Sequence, residues 1–190
     1  SDLVAREEHL EPFFRVLGTD LGAERQTFER AAADLCRRLA GDAAPGRFPR
    51  AALAGAEPAA QASLLAVLGL LGEEDALPIL AAALAAPHES VRAAAIRALA
   101  DWPTAAAFAP LLAAATEAGL LTHNVLALRG CRRHLDAMGQ AGIPDETLAQ
   151  RFADAAAAAR RDEERALFIY RPDGVALHDL TVALKGTYRV

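Results

Sequence analysis

The chain has 190 residues, a net charge of −5 and a hydrophobic fraction of 53%, with only 5% aromatic residues. Alanine supplies roughly half of that hydrophobic fraction, far above ordinary usage, and alanine is the strongest helix former. The mild acidity argues against broad, non-specific nucleic-acid binding, and no apolar run approaches the ~20 residues of a membrane span.

In chain order, Ser1-Asp2 is expected to cap a first helix to about Leu17, with Leu3, Leu10, Phe13, Phe14 and Leu17 on one side. Gly18-Thr19-Asp20 breaks it. A second helix to about Leu39 carries Phe28, Ala32, Leu35, Cys36 and Leu39 at helical spacing. After the loop 41–46, a short helix over Phe48–Ala54 ends at Gly55. Ala59–Leu71 reads as a helix closed by Gly72, and Asp75 as the cap of a helix to Ala86 with Pro78 in its first turn. Glu89 or Ser90 opens a helix that Pro103 stops, and Thr104 caps Ala105–Ala118. Thr122 or Asn124 opens a helix to Met138, Asp145 caps one through Ala159, and a shorter helix covers about Glu163–Ile169. Tyr170–Val190, with its Pro172-Asp173-Gly174 turn, reads as an extended tail or small hairpin.

Part of this pattern repeats. Pro78 returns as Pro110 and Ile96 as Leu128, each 32 positions on (110 − 78, 128 − 96). A period of that length, built from helical pairs that cannot bury their apolar faces alone, predicts an α-solenoid. The fold class expected is all-α, an α-α superhelix of antiparallel helix pairs over 1–169, clearest over 62–135, with 170–190 as an appendage.

The segment Leu64–Pro103 resembles bacterial HEAT repeats of the type called PBS-lyase-like. Its turn Leu71–Leu80 and its Val91–Leu99 segment are similar to that family's turn and second helix. The close match covers about 75 residues, Ala62 to His134. The resemblance implies a HEAT/ARM-type solenoid that acts as a non-catalytic scaffold for protein–protein or interdomain contacts. It also implies a module of a larger bacterial protein, and the absence of an initial Met is in keeping with that expectation. The alternative is a HEAT-like enzyme or nucleic-acid-binding domain, of lyase or DNA-glycosylase kind, using a concave groove. No cofactor or metal is expected, and the compartment stays open, with the cytoplasm slightly favoured, since a leader could have been cut away before Ser1.

Candidate residues follow from the repeat. Arg92, Arg97, Arg129, Arg132 and Arg133 fall on second helices, which line the concave side of a solenoid. They read as a partner-binding set or as bridges between units. Arg92 and Arg97, five apart, cannot both face the same way. Trp102 reads as a wedge between repeats, or alternatively as an aromatic anchor for a partner. His9, His88, His123, His134 and His178 read as solvated or capping residues, and Glu73-Glu74 as a turn whose charge favours the next helix start. Cys36 and Cys131 read as buried thiols.

Overall fold

The structure, a computed structural model, describes residues 10–19 and 21–169. It contains ten α-helices and no strand among those residues. They are α1 Glu11–Leu17, α2 Arg25–Ala40, α3 Arg47–Leu53, α4 Pro58–Leu71, α5 Leu77–Ala83, α6 Glu89–Ala100, α7 Phe108–Glu117, α8 Leu121–Gln140, α9 Asp145–Ala158 and α10 Asp162–Ala166. The expected first turns of α1 and the expected appendage 170–190 lie outside the described residues.

Consecutive helices pair antiparallel, and the pairs stack. The second helices α2, α4, α6 and α8 pack side by side as one layer, with α3, α5 and α7 behind them. This is the all-α solenoid expected from the repeat. Helix α4 divides its core between two apolar clusters. Leu64 and Val67 pack with Leu10, Phe14, Leu17, Cys36 and Phe48, whereas Leu65 and Leu68 join Leu80, Leu99, Leu111, Leu128 and Phe152. Because α4 has apolar residues facing both neighbours, no part of the stack can slide away without exposing one of the two clusters.

The second helices approach closely because their contact residues are small. A Cβ on Gly69 would lie 2.7 Å from the Ala98 Cβ, and one on Gly130 would lie 2.6 Å from the Ala100 Cβ and 2.9 Å from its Cα. Gly72 ends α4 in the left-handed region (φ 68°), as its expected role as a cap requires.

Two expectations change. The repeat is 31 residues in the first-helix layer, where Ala76 and Leu80 are replaced in burial by Ala107 and Leu111 (107 − 76, 111 − 80). It is 32 in the second-helix layer, where Ala95 and Leu99 are replaced by Ala127 and Cys131 (127 − 95, 131 − 99). Pro78 and Pro110 are therefore offset by one helical position: Pro78 is the second residue of α5 and Pro110 the third of α7. Any early turn position tolerates the missing N–H, so the prolines mark the turn and not the register.

The expected caps also differ. No side-chain capping bond forms at Asp75, Thr104 or Thr122. Short 3-10 turns, Glu74–Ala76 and Ala105–Ala107, lead into α5 and α7 instead. Asp75 pairs with Arg50, and Asp145 is already the first helical residue, behind Pro144.

The close approach gives a prediction. Gly130→Ala should lower stability by about 1–3 kcal/mol, because overpacking against the α6 backbone outweighs alanine's better helix propensity. Gly119→Ala, with nothing within 4 Å of its added Cβ, should be neutral or slightly stabilising. Urea unfolding of both variants beside wild type checks the contrast. Equal effects would remove the packing argument.

Candidate functional site

The concave side of the second-helix layer carries an open groove of about 1230 Å³. Its floor is Ala59, Ala62 and Ala66 of α4, which recur at three and four residues and so share one helical face. One wall is α2, with Arg25, Glu29 and Arg30; the other is α6, with Glu89, Arg97 and Asp101. The floor is low because alanine projects only a methyl, so the charged walls stand above an apolar trough.

The walls are electrostatically uneven. Arg25 donates to the Leu17 and Thr19 carbonyls and, at 2.7 Å, to the Ser63 hydroxyl, tying α2 to α4. Asp101 is paired with Arg133 of α8 at 2.9 Å. Glu29 is half-buried, and that burial raises its carboxyl above the ordinary value of 4.5 against the lowering influence of Ser63, Arg25 and Arg97. Arg30 and Arg97 are exposed and make no hydrogen bond or ion pair among the described residues.

The arginines, expected as a partner-binding set or as bridges between units, separate into two groups. Arg97 lines the groove. Arg129 occupies the equivalent position of α8 (129 − 97 = 32), is exposed, and lies close enough to Glu164 to help hold that carboxyl below its usual range, after the larger effect of Arg161. Arg92, by contrast, turns back and donates to the Ala86 and Pro87 carbonyls at 2.6 and 2.8 Å. Arg132 is held by Asp136, donates to the Leu167 carbonyl and sits over the Phe152 ring at 5.2 Å, fastening α8 to the last pair. Trp102 is 4% exposed and packs in the larger core cluster, so its ring presents no surface to a partner. Arg92, Arg132 and Trp102 are thus engaged within the fold, while Arg97 and Arg129 remain outward.

Arg92 belongs to a set that sequence reasoning missed. It is the fourth residue of its helix, as are Gln61 of α4, Asn124 of α8 and Arg165 of α10. Gln61 donates to the Ala56 carbonyl at 2.7 Å, Asn124 to Ala115 and Ala158 at 2.8 and 2.9 Å, and Arg165 to Ala159 at 3.2 Å. A helix end leaves four carbonyls without intrahelical donors, and this position supplies donors for those ends and the turns that follow. The signal was a polar residue at 61, 92 and 124, spaced 31 and 32 apart. It was hidden because the residue type changes from Gln to Arg to Asn.

The other candidates also move. His123 and His134 are buried and so not solvated, while His134 does meet an end carbonyl of α6. His134 Nε2 is 2.9 Å from the Leu99 carbonyl, and burial, then Arg92, lowers the His123 value. His88 is exposed; His9 and His178 lie outside the described residues. Glu73 accepts from the Gly46 N–H at 2.7 Å, so it serves the start of α3 and not the helix that follows it. Cys36 and Cys131 are buried, and burial pushes their thiols up to about 11 and about 12. Among the described residues no group of His, Cys, Asp or Glu is arranged to hold a metal, and no helix is long and apolar enough to cross a membrane.

Residues 47–129 match the family model of HEAT repeats. Neither the curated proteins nor the solved structures contain a match to the chain.

Two outcomes are expected from this geometry. Arg92→Ala should lose about 1–3 kcal/mol of stability, since it leaves two carbonyls without their charged donor. Arg97→Ala should stay within about 0.5 kcal/mol of wild type; thermal and urea unfolding measure both. The second concerns pH. A carboxyl whose folded value is raised opposes folding when ionised, so its stabilising influence is present below the unfolded value and lost as pH rises through the folded one. Glu29→Gln should therefore raise the melting temperature at neutral pH, with the gain shrinking to nothing below pH 4.5. A pH-independent difference would contradict this assignment.

Proposed function

We propose, from the match of residues 47–129 to the family model of HEAT repeats, that the chain is a non-catalytic scaffold whose concave groove docks a protein partner or another domain of its parent chain. HEAT repeats commonly serve as protein-interaction scaffolds. The observation that carries the reading here is the alanine floor of α4 between two charged walls. A partner's side chains can reach that floor and bury apolar surface there, and the walls can then fix orientation through hydrogen bonds and ion pairs. Rigid second helices supply the pre-organisation that keeps the cost of docking low. The same proposal includes a larger bacterial parent protein, since a GC-rich bacterial genome would produce this alanine and arginine usage.

The test fills the trough. Affinity capture from the source organism's lysate is run with wild type and with Ala66→Trp, whose indole would occupy the floor. Circular dichroism melting checks that the variant is folded. A protein retained by wild type and lost with folded Ala66→Trp is the expected result. Capture that survives the filled groove, or no capture by either form, would count against the groove as a docking site.

A further inference from the structure

The contact between α6 and α8 holds one buried titratable ring with nothing to stabilise its charge. His123, in the first turn of α8, is 5% exposed and makes no hydrogen bond among the described residues. Its place is an apolar one: in the second-helix register it stands where α6 has the core residue Val91 (123 − 91 = 32). His134, further along the same helix, shows the contrast. Its Nε2–H donates to the Leu99 carbonyl at 2.9 Å, and a charged imidazolium keeps that bond. A charged His123 would carry a second N–H and find no acceptor for either among the described residues.

The surrounding charges add to this cost. Helix α6 brings Arg92, Glu89 and Arg97 to act on the ring. The Arg92 guanidinium is held in place by the Ala86 and Pro87 carbonyls, so it stays where it repels an imidazolium, and Glu89 offsets only part of that repulsion. Helices α7, α9 and α10 also pack on α8, and none of their charged groups among the described residues acts on the ring. Burial first, then Arg92, therefore lowers the His123 value below the ordinary 6.5. The neutral ring favours the fold. The stability it contributes is whole above 6.5, the unfolded value, and is lost as pH falls through the lower, folded one.

We propose that His123 makes the α6–α8 contact a proton-sensitive seam, closed at neutral pH and loosened in mild acid when the ring takes up a proton. Its neighbours decide what loosens with it. Asn124, the next residue, bridges the Ala115 and Ala158 carbonyls with its amide, so displacement at His123 reaches the ends of α7 and α9. On the other side α6 is a wall of the groove, and that wall loses backing. The α2–α4 contact responds in the opposite sense, because protonation relieves the half-buried carboxylate of Glu29. Acid thus acts unevenly along the stack, and it does so whether or not the groove is occupied.

Hydrogen exchange read by mass spectrometry tests this on the full chain at about pH 8 and about pH 5. Rates are expressed as protection factors, so the intrinsic pH dependence of exchange cancels. In acid, protection over 89–100 and 121–128 should fall while 25–40 and 58–71 keep theirs. His123→Val, which installs the register's own residue, should abolish that loss. Its melting temperature relative to wild type should rise in its favour as pH falls. NMR titration of the His123 ring in wild type, which depends on no variant folding, should give a midpoint below 6.5. A midpoint at or above 6.5 would overturn the proposal. So would acid loosening that persists in His123→Val, a loss spread evenly along the stack, or full protection of the seam at about pH 5.

Discussion

Where α4 crosses α6 and α6 crosses α8, one point of each contact admits nothing larger than a glycine against an alanine, and the spacing of the stack follows from that limit. Gly69 faces Ala98 and Gly130 faces Ala100 at separations where an added methyl would overlap its neighbour. Helices that pack this closely fix the pitch of the stack, because a shift along either axis brings larger side chains into the gap. The same small residues continue onto the concave face of α4, where they no longer touch a neighbour. One compositional bias therefore does two jobs: it closes the spacing between repeats and leaves an unfilled trough on the inner surface.

Tight packing of small residues buries little apolar area per contact, so the ends of the helices matter more than they would in a leucine-rich bundle. The first helices are short; α3 and α5 have seven residues each, and their unpaired carbonyls are a large fraction of their backbone. Gln61, Arg92, Asn124 and Arg165 answer this at one position in each repeat. Asn124 is the extreme case, fully buried and bridging the ends of α7 and α9 with a single amide. The position is constrained in what it does and free in how it does it.

That freedom explains what the sequence could and could not reveal. The helices, the Gly72 stop and the repeat were legible because they depend on periodicity and on residue types with narrow backbone preferences. Arg92 was misread because its class, an arginine on a second helix, is shared with Arg97, and only the turn of the helix separates a carbonyl staple from a groove wall. The 31-residue first-helix register was hidden behind Pro78 and Pro110, which are conformational markers tolerant of a one-residue offset. Glu29 and Arg30 were missed since α2 lacks the repeat's signature residues, although it packs in the same layer. His123 and His134 read as solvated or capping residues because histidine is usually found in such places, whereas the second-helix register puts them at the buried positions of Val91 and Trp102 (123 − 91, 134 − 102).

The charge on the concave face is balanced where the chain as a whole is acidic. Arg25, Arg30 and Arg97 line the groove against Glu29, Glu89 and Asp101, in a chain of net charge −5. Part of that charge is spent inside the fold: Arg25 ties α2 to α4 through Ser63, and Asp101 ties the end of α6 to Arg133 of α8. Exposed charges act over about 8 Å at physiological salt, so walls of mixed sign create no far-reaching field above the trough. Shape therefore comes before charge at this surface. The alanine floor limits what is thin enough to reach it, and only at that depth do the individual charges of the walls come into play.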